Sequence, residues 1–393
     1  MDEKLSVPRP PATAPSDLVD LERVVGRRRG EKPGPTLVVV AGIHGNEPAG
    51  IRAARRVLSR LEAEAVGLRG ELVVFSGNLA ALRLGRRFQA RDLNRAWTDV
   101  RVERLRAQAP EADDAEDREQ RELLDVIDAA IARARGEVYL IDLHTTSAAG
   151  HPFVLFGDTL RQRELARAFP LPIILGLEEC VDGVLSEYMT RRGCITLAVE
   201  GGQHQDAESV DSLEACITVA LDATGIAHRQ HLSTFARAQA HLERMRGGLP
   251  RVMEVLERHA IGPEDRFQME PGFANLGKAR EGQLLARDAR GEIRADGDGV
   301  VMLPLYQGQG EDGFFWGREV SAARLAVSAV VRRMHLDRVL PLLPGVHRDP
   351  AHGDRLVVDT RVARYYPLDV FHVFGFRKRR HEGSVMTVAR QPD

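Results

Sequence analysis

Residues 36–58, TLVVVAGIHGNEPAGIRAARRVL, decide the fold. Leu37 to Ala41 is a short apolar run, mostly β-branched, the composition of a strand buried on both faces of a parallel sheet. The run breaks at Gly42. His44 and Glu47 follow in the order H-x-x-E, then Pro48, after which Ile51, Ala54, Arg55 and Leu58 recur at helical spacing. An imidazole and a carboxylate therefore stand where a strand gives way to a helix. In an open α/β sheet, ligands bind at the carboxyl ends of the strands. We read His44 and Glu47 as two ligands of a zinc ion that still lacks a third.

Working outward, Glu71 to Phe75 forms a second strand, and strand–helix–strand alternation implies right-handed crossovers and a largely parallel sheet. Residues 137–144, EVYLIDLH, repeat the first pattern: a buried strand that ends in His144. A lone histidine at a strand end is usually a hydrogen-bonded structural residue. Two strands of one sheet that each deliver metal-capable groups favour the ligand reading. Asp142 either orients an imidazole from behind or caps the following turn. Phe153 to Phe156 and Pro172 to Leu175 read as further strands, with a helix from Arg161 to Ala168 between them and a short one from Leu185 to Arg192. Residues 193–200, GCITLAVE, are the last clear buried strand, and Glu200 ends it before Gly201 and Gly202. A buried carboxylate is costly unless paired or working. Beside a zinc-activated water it has a job: accept the proton, then pass it to the leaving group.

Other stretches read more plainly. Arg27, Arg28 and Arg29 suit a solvated loop. Residues 86–95, RRFQARDLNR, form either an anion-gripping loop or a solvated basic one, and the stretch alone favours the second. Residues 101–135 are helical, with the acidic run Glu111 to Glu119 facing water. Helices are also expected over 207–224 and 234–259, the latter broken at Gly247-Gly248-Leu249-Pro250. The glycine-dense stretch 266–318 suits a small all-β module of tight turns. Residues 319–335 return to helix, and the tail ends in a basic cluster, Arg377-Lys378-Arg379-Arg380, read as solvated surface.

The chain has 393 residues and a net charge of −2, room for one large domain with smaller modules and no electrostatic footprint for nucleic acid. No apolar run is long enough for a membrane span, and the proline-rich N-terminus lacks the apolar core of a secretory signal. Cys180, Cys194 and Cys216 have no C-x-x-C spacing and suit free thiols in a reducing cytosol. His44, Glu47 and His144 would complete a His₂Glu site for one Zn²⁺, with an open position for water and Glu200 as proton shuttle. The chemistry that follows is hydrolysis of an amide bond.

Four elements in order are more specific than H-x-x-E alone: GIHGNE after a strand, DLNR in the arginine loop, DLH at a strand end, and Glu-Gly-Gly at another. In these the chain resembles the succinylglutamate desuccinylase/aspartoacylase family of zinc-dependent hydrolases, relatives of the zinc carboxypeptidases. The resemblance runs from about Leu37 to Gln203 and more loosely to Phe315. It implies a zinc-carboxypeptidase-like three-layer α/β/α domain with a mostly parallel or mixed sheet, then a small β-rich domain. It implies that Arg87 polarises the scissile carbonyl, that Asn94 and Arg95 grip a substrate carboxylate, and that Tyr188 and Arg192 help shape the pocket. The resulting layout is a flexible lead-in over 1–20, a zinc-hydrolase domain over 21–260, a β-rich domain over 261–320, and a C-terminal helix and tail of open role over 321–393. The expected substrate is a small acidic N-acyl amino acid, in the cytoplasm, with neither nucleic acid nor membrane as partner and a homo-oligomer permitted. A zinc carboxypeptidase acting on peptides and a catalytically silent metal-binding relative are the competing readings.

Overall fold

The computed structural model describes residues 20–350, 355–362, 368–382 and 385–390. The expected flexible lead-in lies, apart from Asp20, outside the described residues. The strands of the first part are β1 (Val24–Arg29), β2 (Lys32–Ala41), β3 (Arg69–Ser76), β4 (Val138–Thr146), β5 (Phe153–Leu155), β6 (Ile173–Leu175), β7 (Ile195–Gln203) and β8 (Val252–Ala260). The glycine-dense stretch adds β9 (Gln268–Met269), β10 (Gly277–Ala279), β11 (Leu284–Asp288), β12 (Gly291–Arg294), β13 (Gly299–Met302) and β14 (Asp312–Glu319). The tail adds β15 (Val346–Arg348), β16 (Arg355–Asp359), β17 (Phe376–Glu382) and β18 (Val385–Arg390).

Among the described residues the largest sheet has eleven strands in the order β1-β3-β2-β4-β7-β5-β6-β8-β14-β13-β10. Its centre, β3-β2-β4-β7, is parallel; β5 runs antiparallel to β7, and the far end from β8 onward is antiparallel. The sheet is thus mixed, and it continues without interruption from the α/β part into the glycine-dense stretch.

The two faces of the sheet can be read off β2. Leu37, Val39 and Ala41 enter one buried cluster with side chains from the helices Ala49–Ala63, Ala207–Ala223 and Phe235–Arg246. Val38 and Val40 enter another, with Leu123 and Ile127 of the helix Ala115–Ala132 and Leu185 and Met189 of the helix Leu185–Arg191. Alternate residues of a strand point to opposite faces, so a strand that is apolar throughout needs a helical layer on each side. That is the α/β/α sandwich.

Several elements depart from the sequence reading. Arg27, Arg28 and Arg29 lie in the edge strand β1, antiparallel to β3, where Arg27 pairs with Glu71 at 2.7 Å; charge on an edge strand discourages further pairing. The acidic run does not simply meet water. Glu116 is fully buried and accepts from the backbone N–H groups of Gln89 and Ala90 at 2.7 and 2.8 Å, and Glu119 accepts from those of Leu79 and Ala80. The expected 101–135 helix divides into Asp99–Ala107 and Ala115–Ala132, because Thr98 caps the first and an Asp114–Asp117 capping box starts the second. The expected 234–259 helix ends at Arg246, and the residues beyond the Gly-Gly-Leu-Pro break form β8.

The tail contributes a helix, Ala322–Arg333, and the four-stranded sheet β15-β16-β18-β17. It joins the body through buried charge. Arg377 donates to Asp158 at 2.7 Å and to Glu179 at 2.9 Å, and His372 sits 2.9 Å from Glu254 and 3.1 Å from Glu179. Asp158 also takes Arg163 and Arg332. Arg377 is therefore buried and not on a solvated basic surface, while the side chains of Lys378 to Arg380 fall outside the described residues. Among the described residues, no helix is long and apolar enough to cross a membrane.

Candidate active site

The site is built where the parallel strands end. His44 and Glu47 follow β2, His144 lies near the end of β4, and Glu200 lies on β7 directly across from His144 in the ladder. Gly45 brings this turn against the arginine loop: its N–H donates to the Arg87 carbonyl at 3.1 Å, and a Cβ there would come within 2.1–2.4 Å of backbone atoms of Ala81 and Arg86. Only glycine allows so close a backbone approach.

One donor atom each from His44, Glu47 and His144 lies within 4.8 Å of the others, and all three residues are buried. Glu47 stands between the rings, 2.9 Å from His44 Nδ1 through Oε1 and 3.2 Å from His144 Nδ1 through Oε2. The Thr145 backbone N–H also donates to Oε2, at 3.0 Å. Each imidazole is held from behind by a carboxylate: His44 Nε2 is 3.0 Å from Asp92, and His144 Nε2 is 3.0 Å from Asp142. Asp142 thus faces the ring of His144. Two imidazoles and a carboxylate converging, with carboxylates behind both rings, form a possible metal-binding triad.

The electrostatics follow from this crowding. Burial opposes charge on Glu47, yet His44 and His144 hold its carboxyl well below the usual carboxylate range. Burial likewise opposes the charged form of Asp92, and His44 and Arg87 overcome it. Burial works against a charged His144, but Asp142 and Glu47 raise its pKa well above the ordinary imidazole value. Glu200 behaves oppositely: burial pushes it up to about 8, with His144 opposing and Glu47 adding to the rise. Its Oε2 is buried with no hydrogen-bond partner.

The arginine loop closes over the triad. Arg87 donates to Asp92 at 2.8 and 3.1 Å and reaches within 3.5 Å of Glu47. The Asn94 N–H donates to Asp92 at 2.8 Å, and the Asn94 side chain accepts from the Leu185 N–H at 2.9 Å. Arg95 pairs with Asp312 on β14 at 2.7 Å. Arg87, Asn94, Arg95, Glu200 and the triad all line one pocket.

Tyr188 and Arg192 are not brought there. On the helix Leu185–Arg191 it is Ser186 and Glu187 that line the pocket. Tyr188 points to the opposite side, buried against Trp97 with ring centroids 5.9 Å apart. Arg192 pairs with Asp128 at 2.6 Å. The sequence reading also missed three residues. Asp92 is the first letter of DLNR and was readable as a carboxylate near a candidate ligand. Glu116, which anchors the loop from a distant helix, left no local signal. His204 lines the pocket, 2.8 Å from the Thr145 hydroxyl and 3.2 Å from Gln307, which also accepts from Asn46 at 2.8 Å. Gln307 belongs to the segment between β13 and β14, so this bridge ties the glycine-dense part over the pocket.

Residues 33–244 match the succinylglutamate desuccinylase/aspartoacylase catalytic domain. A succinylglutamate desuccinylase from Photorhabdus laumondii is 40% identical over 65 residues, which is 16% of this chain and only 20% of that protein. One from Burkholderia thailandensis is 28% identical over 287 residues, covering 69% of this chain and 74% of that protein. In fold, the chain is similar to a succinylglutamate desuccinylase/aspartoacylase structure from Rhodobacter sphaeroides, with a TM-score of 0.57 and 19% identity over 75% of this chain and 88% of that one. Murine aminoacylase 3 gives a TM-score of 0.51 and 17% identity over 74% of this chain and 97% of that one. A catalytic-domain match spanning more than half of the sequence, with a similar fold, places this chain in the succinylglutamate desuccinylase/aspartoacylase family.

Proposed function

We propose that the chain is a zinc-dependent hydrolase that cleaves the amide bond of a small N-acyl amino acid. The observation that carries this reading is the convergence of His44, Glu47 and His144 beside a buried carboxylate, Glu200, that has an unpartnered oxygen. The donor set suits zinc: two imidazoles and one carboxylate, each ring faced by a second carboxylate. His44, Glu47 and His144 would hold one zinc ion, whose Lewis acidity would be available to polarise a scissile carbonyl and to lower the pKa of a water.

The chain's own residues do the rest. Glu200 takes the proton of the attacking water and returns it to the leaving nitrogen. Arg87 donates to the carbonyl oxygen as negative charge develops on it. Asn94 and Arg95 hold the substrate's carboxylate and so fix which amide faces Glu200. Residues 21–260 carry this chemistry, and residues 261–320 supply an outer wall through Leu303, Gln307 and Phe315.

The test is direct. Zinc-loaded protein should bind one ion per chain and release free amino acid from an N-acyl amino acid, and a chelator should stop it reversibly. A protein that binds no metal, or hydrolyses with the metal stripped, would refute the reading. Asp92 gives a separate check. Asp92→Asn should weaken zinc affinity about 10–100-fold, since it removes the carboxylate that orients His44. Competition with a chromophoric chelator measures this, and an unchanged affinity would remove Asp92 from the metal's support.

A further inference from the structure

The pocket is charged on one side and apolar on the other. On the charged side stand the triad, Glu200, Arg87 and Arg95. The other side is the open face of a hydrophobic cluster. Leu155, Val181 and Phe315 are buried members of that cluster, and Leu177, Val184, Ala198 and Leu303 pack against it; all seven also line the pocket. Ala198 lies on β7 two residues before Glu200, on the same face of the strand, so the apolar wall begins beside the candidate proton shuttle.

Charge points the same way. Among the described residues, Arg87 and Arg95 are the only arginines or lysines of the lining, against the carboxylates of Glu47, Glu187, Glu200 and Asp312. Both arginines already face carboxylates: Arg87 meets Asp92 and Glu47, and Arg95 meets Asp312. One substrate carboxylate can be accommodated by Arg95 with Asn94. A second or third, as in a succinylated or dicarboxylic amino acid, would lie against leucine, valine and phenylalanine, or beside Asp312 and Glu187, carboxylates that already engage Arg95, Arg258 and Arg191. Burying an unpaired charge in such surroundings is strongly unfavourable.

We infer that the substrate carries a single carboxylate and, beyond the scissile amide, an apolar aliphatic or aromatic group that fills this wall. The inference rests on the deacylase reading for its reaction, but not for its binding preference. Apolar contacts discriminate by about 10–200-fold per methylene in a well-formed pocket, so the preference over a multiply charged substrate should reach at least about 100-fold.

The experiment compares N-acetyl-L-phenylalanine and N-hexanoylglycine with N-succinyl-L-glutamate and N-acetyl-L-aspartate. Hydrolysis by the zinc-loaded protein gives kcat/KM, and calorimetric titration of the zinc-loaded Glu200→Gln variant gives Kd. The expected result is a preference of about 100-fold or more for an apolar compound in both measurements. Leu177→Arg, which places a cation in the wall, should narrow that gap by at least about tenfold. Equal or better use of an acidic compound, or no binding of either apolar compound, overturns the inference. Tight binding of an apolar compound with no hydrolysis of any upholds the apolar wall and defeats the deacylase reading instead, so the two failures are distinguishable.

Discussion

Replacing Glu200 by Gln is expected to lower kcat by about 10²–10⁴-fold while one zinc ion per chain is retained. The substitution conserves size, and Glu200 is not among the three residues whose donors converge within 4.8 Å. What is lost is the ability to take up a proton and release it. An amide cannot do either, and in this reading the same carboxylate acts twice, once on water and once on the leaving nitrogen, which argues for the upper end of the range. His44→Ala should fail differently, by losing the metal itself. Steady-state rates with metal analysis on both variants separate the two cases. A Glu200→Gln protein with wild-type turnover would remove Glu200 from the chemistry.

The second large effect concerns stability. Asp158→Asn should destabilise the protein by about 3–5 kcal/mol, because breaking a buried ion pair leaves uncompensated charge. Three guanidinium groups, Arg163, Arg332 and Arg377, converge on this carboxylate, and Arg332 and Arg377 come from the tail. The melting temperature should fall by roughly 4–6 °C; a fall of less than 2 °C would show that the cluster is not holding the tail.

Acid should act on the same joint. Burial opposes ionisation of Glu179 and Glu254, but His372 with Arg377 for the first, and His372 with Arg324 for the second, hold both carboxyls down to about 2. A lowered folded-state pKa stabilises above the unfolded value and is lost as pH falls towards the folded one. Stability should therefore decline between about pH 4.5 and pH 2. His372 is raised, against burial, by Glu179 and Glu254, so its contribution is complete below the ordinary imidazole value and fades as pH climbs through the raised one. Thermal melts across pH would show this, and a melting temperature that does not move between pH 5 and pH 3 would contradict it.

What the sequence disclosed and what it hid follow one physical line. The positions of His44, His144 and Glu200 were legible because each follows an apolar run near the carboxyl end of a strand, and parallel strands of one sheet bring those ends together. The sandwich was legible because β2, β4 and β7 are apolar on both faces. Tyr188 and Arg192 do not line the pocket, and a two-turn helix gives too short a pattern to tell from sequence which side meets it. Glu116 looked solvated because neighbouring charges hid its role: it satisfies N–H groups of the arginine loop, a partner fixed only by tertiary packing. The tail's sheet was missed for a similar reason. Its attachment depends on Arg377 meeting Asp158 and Glu179, residues far away in the chain.

The ladder position that sets His144 opposite Glu200 has a consequence for how such a gene can vary. The spacing of the two side chains is fixed by inter-strand geometry, whatever the length of the excursion between them, so the exposed loop positions of that excursion, outside β5, β6 and the pocket wall, can accept insertions over evolutionary time. A single codon deleted within Val138–Leu143 would be a different event. Where the codon lost precedes Asp142, it would turn His144 and Asp142 onto the side now occupied by Leu143 and Ile141, and so dismantle the cluster while its members all remain.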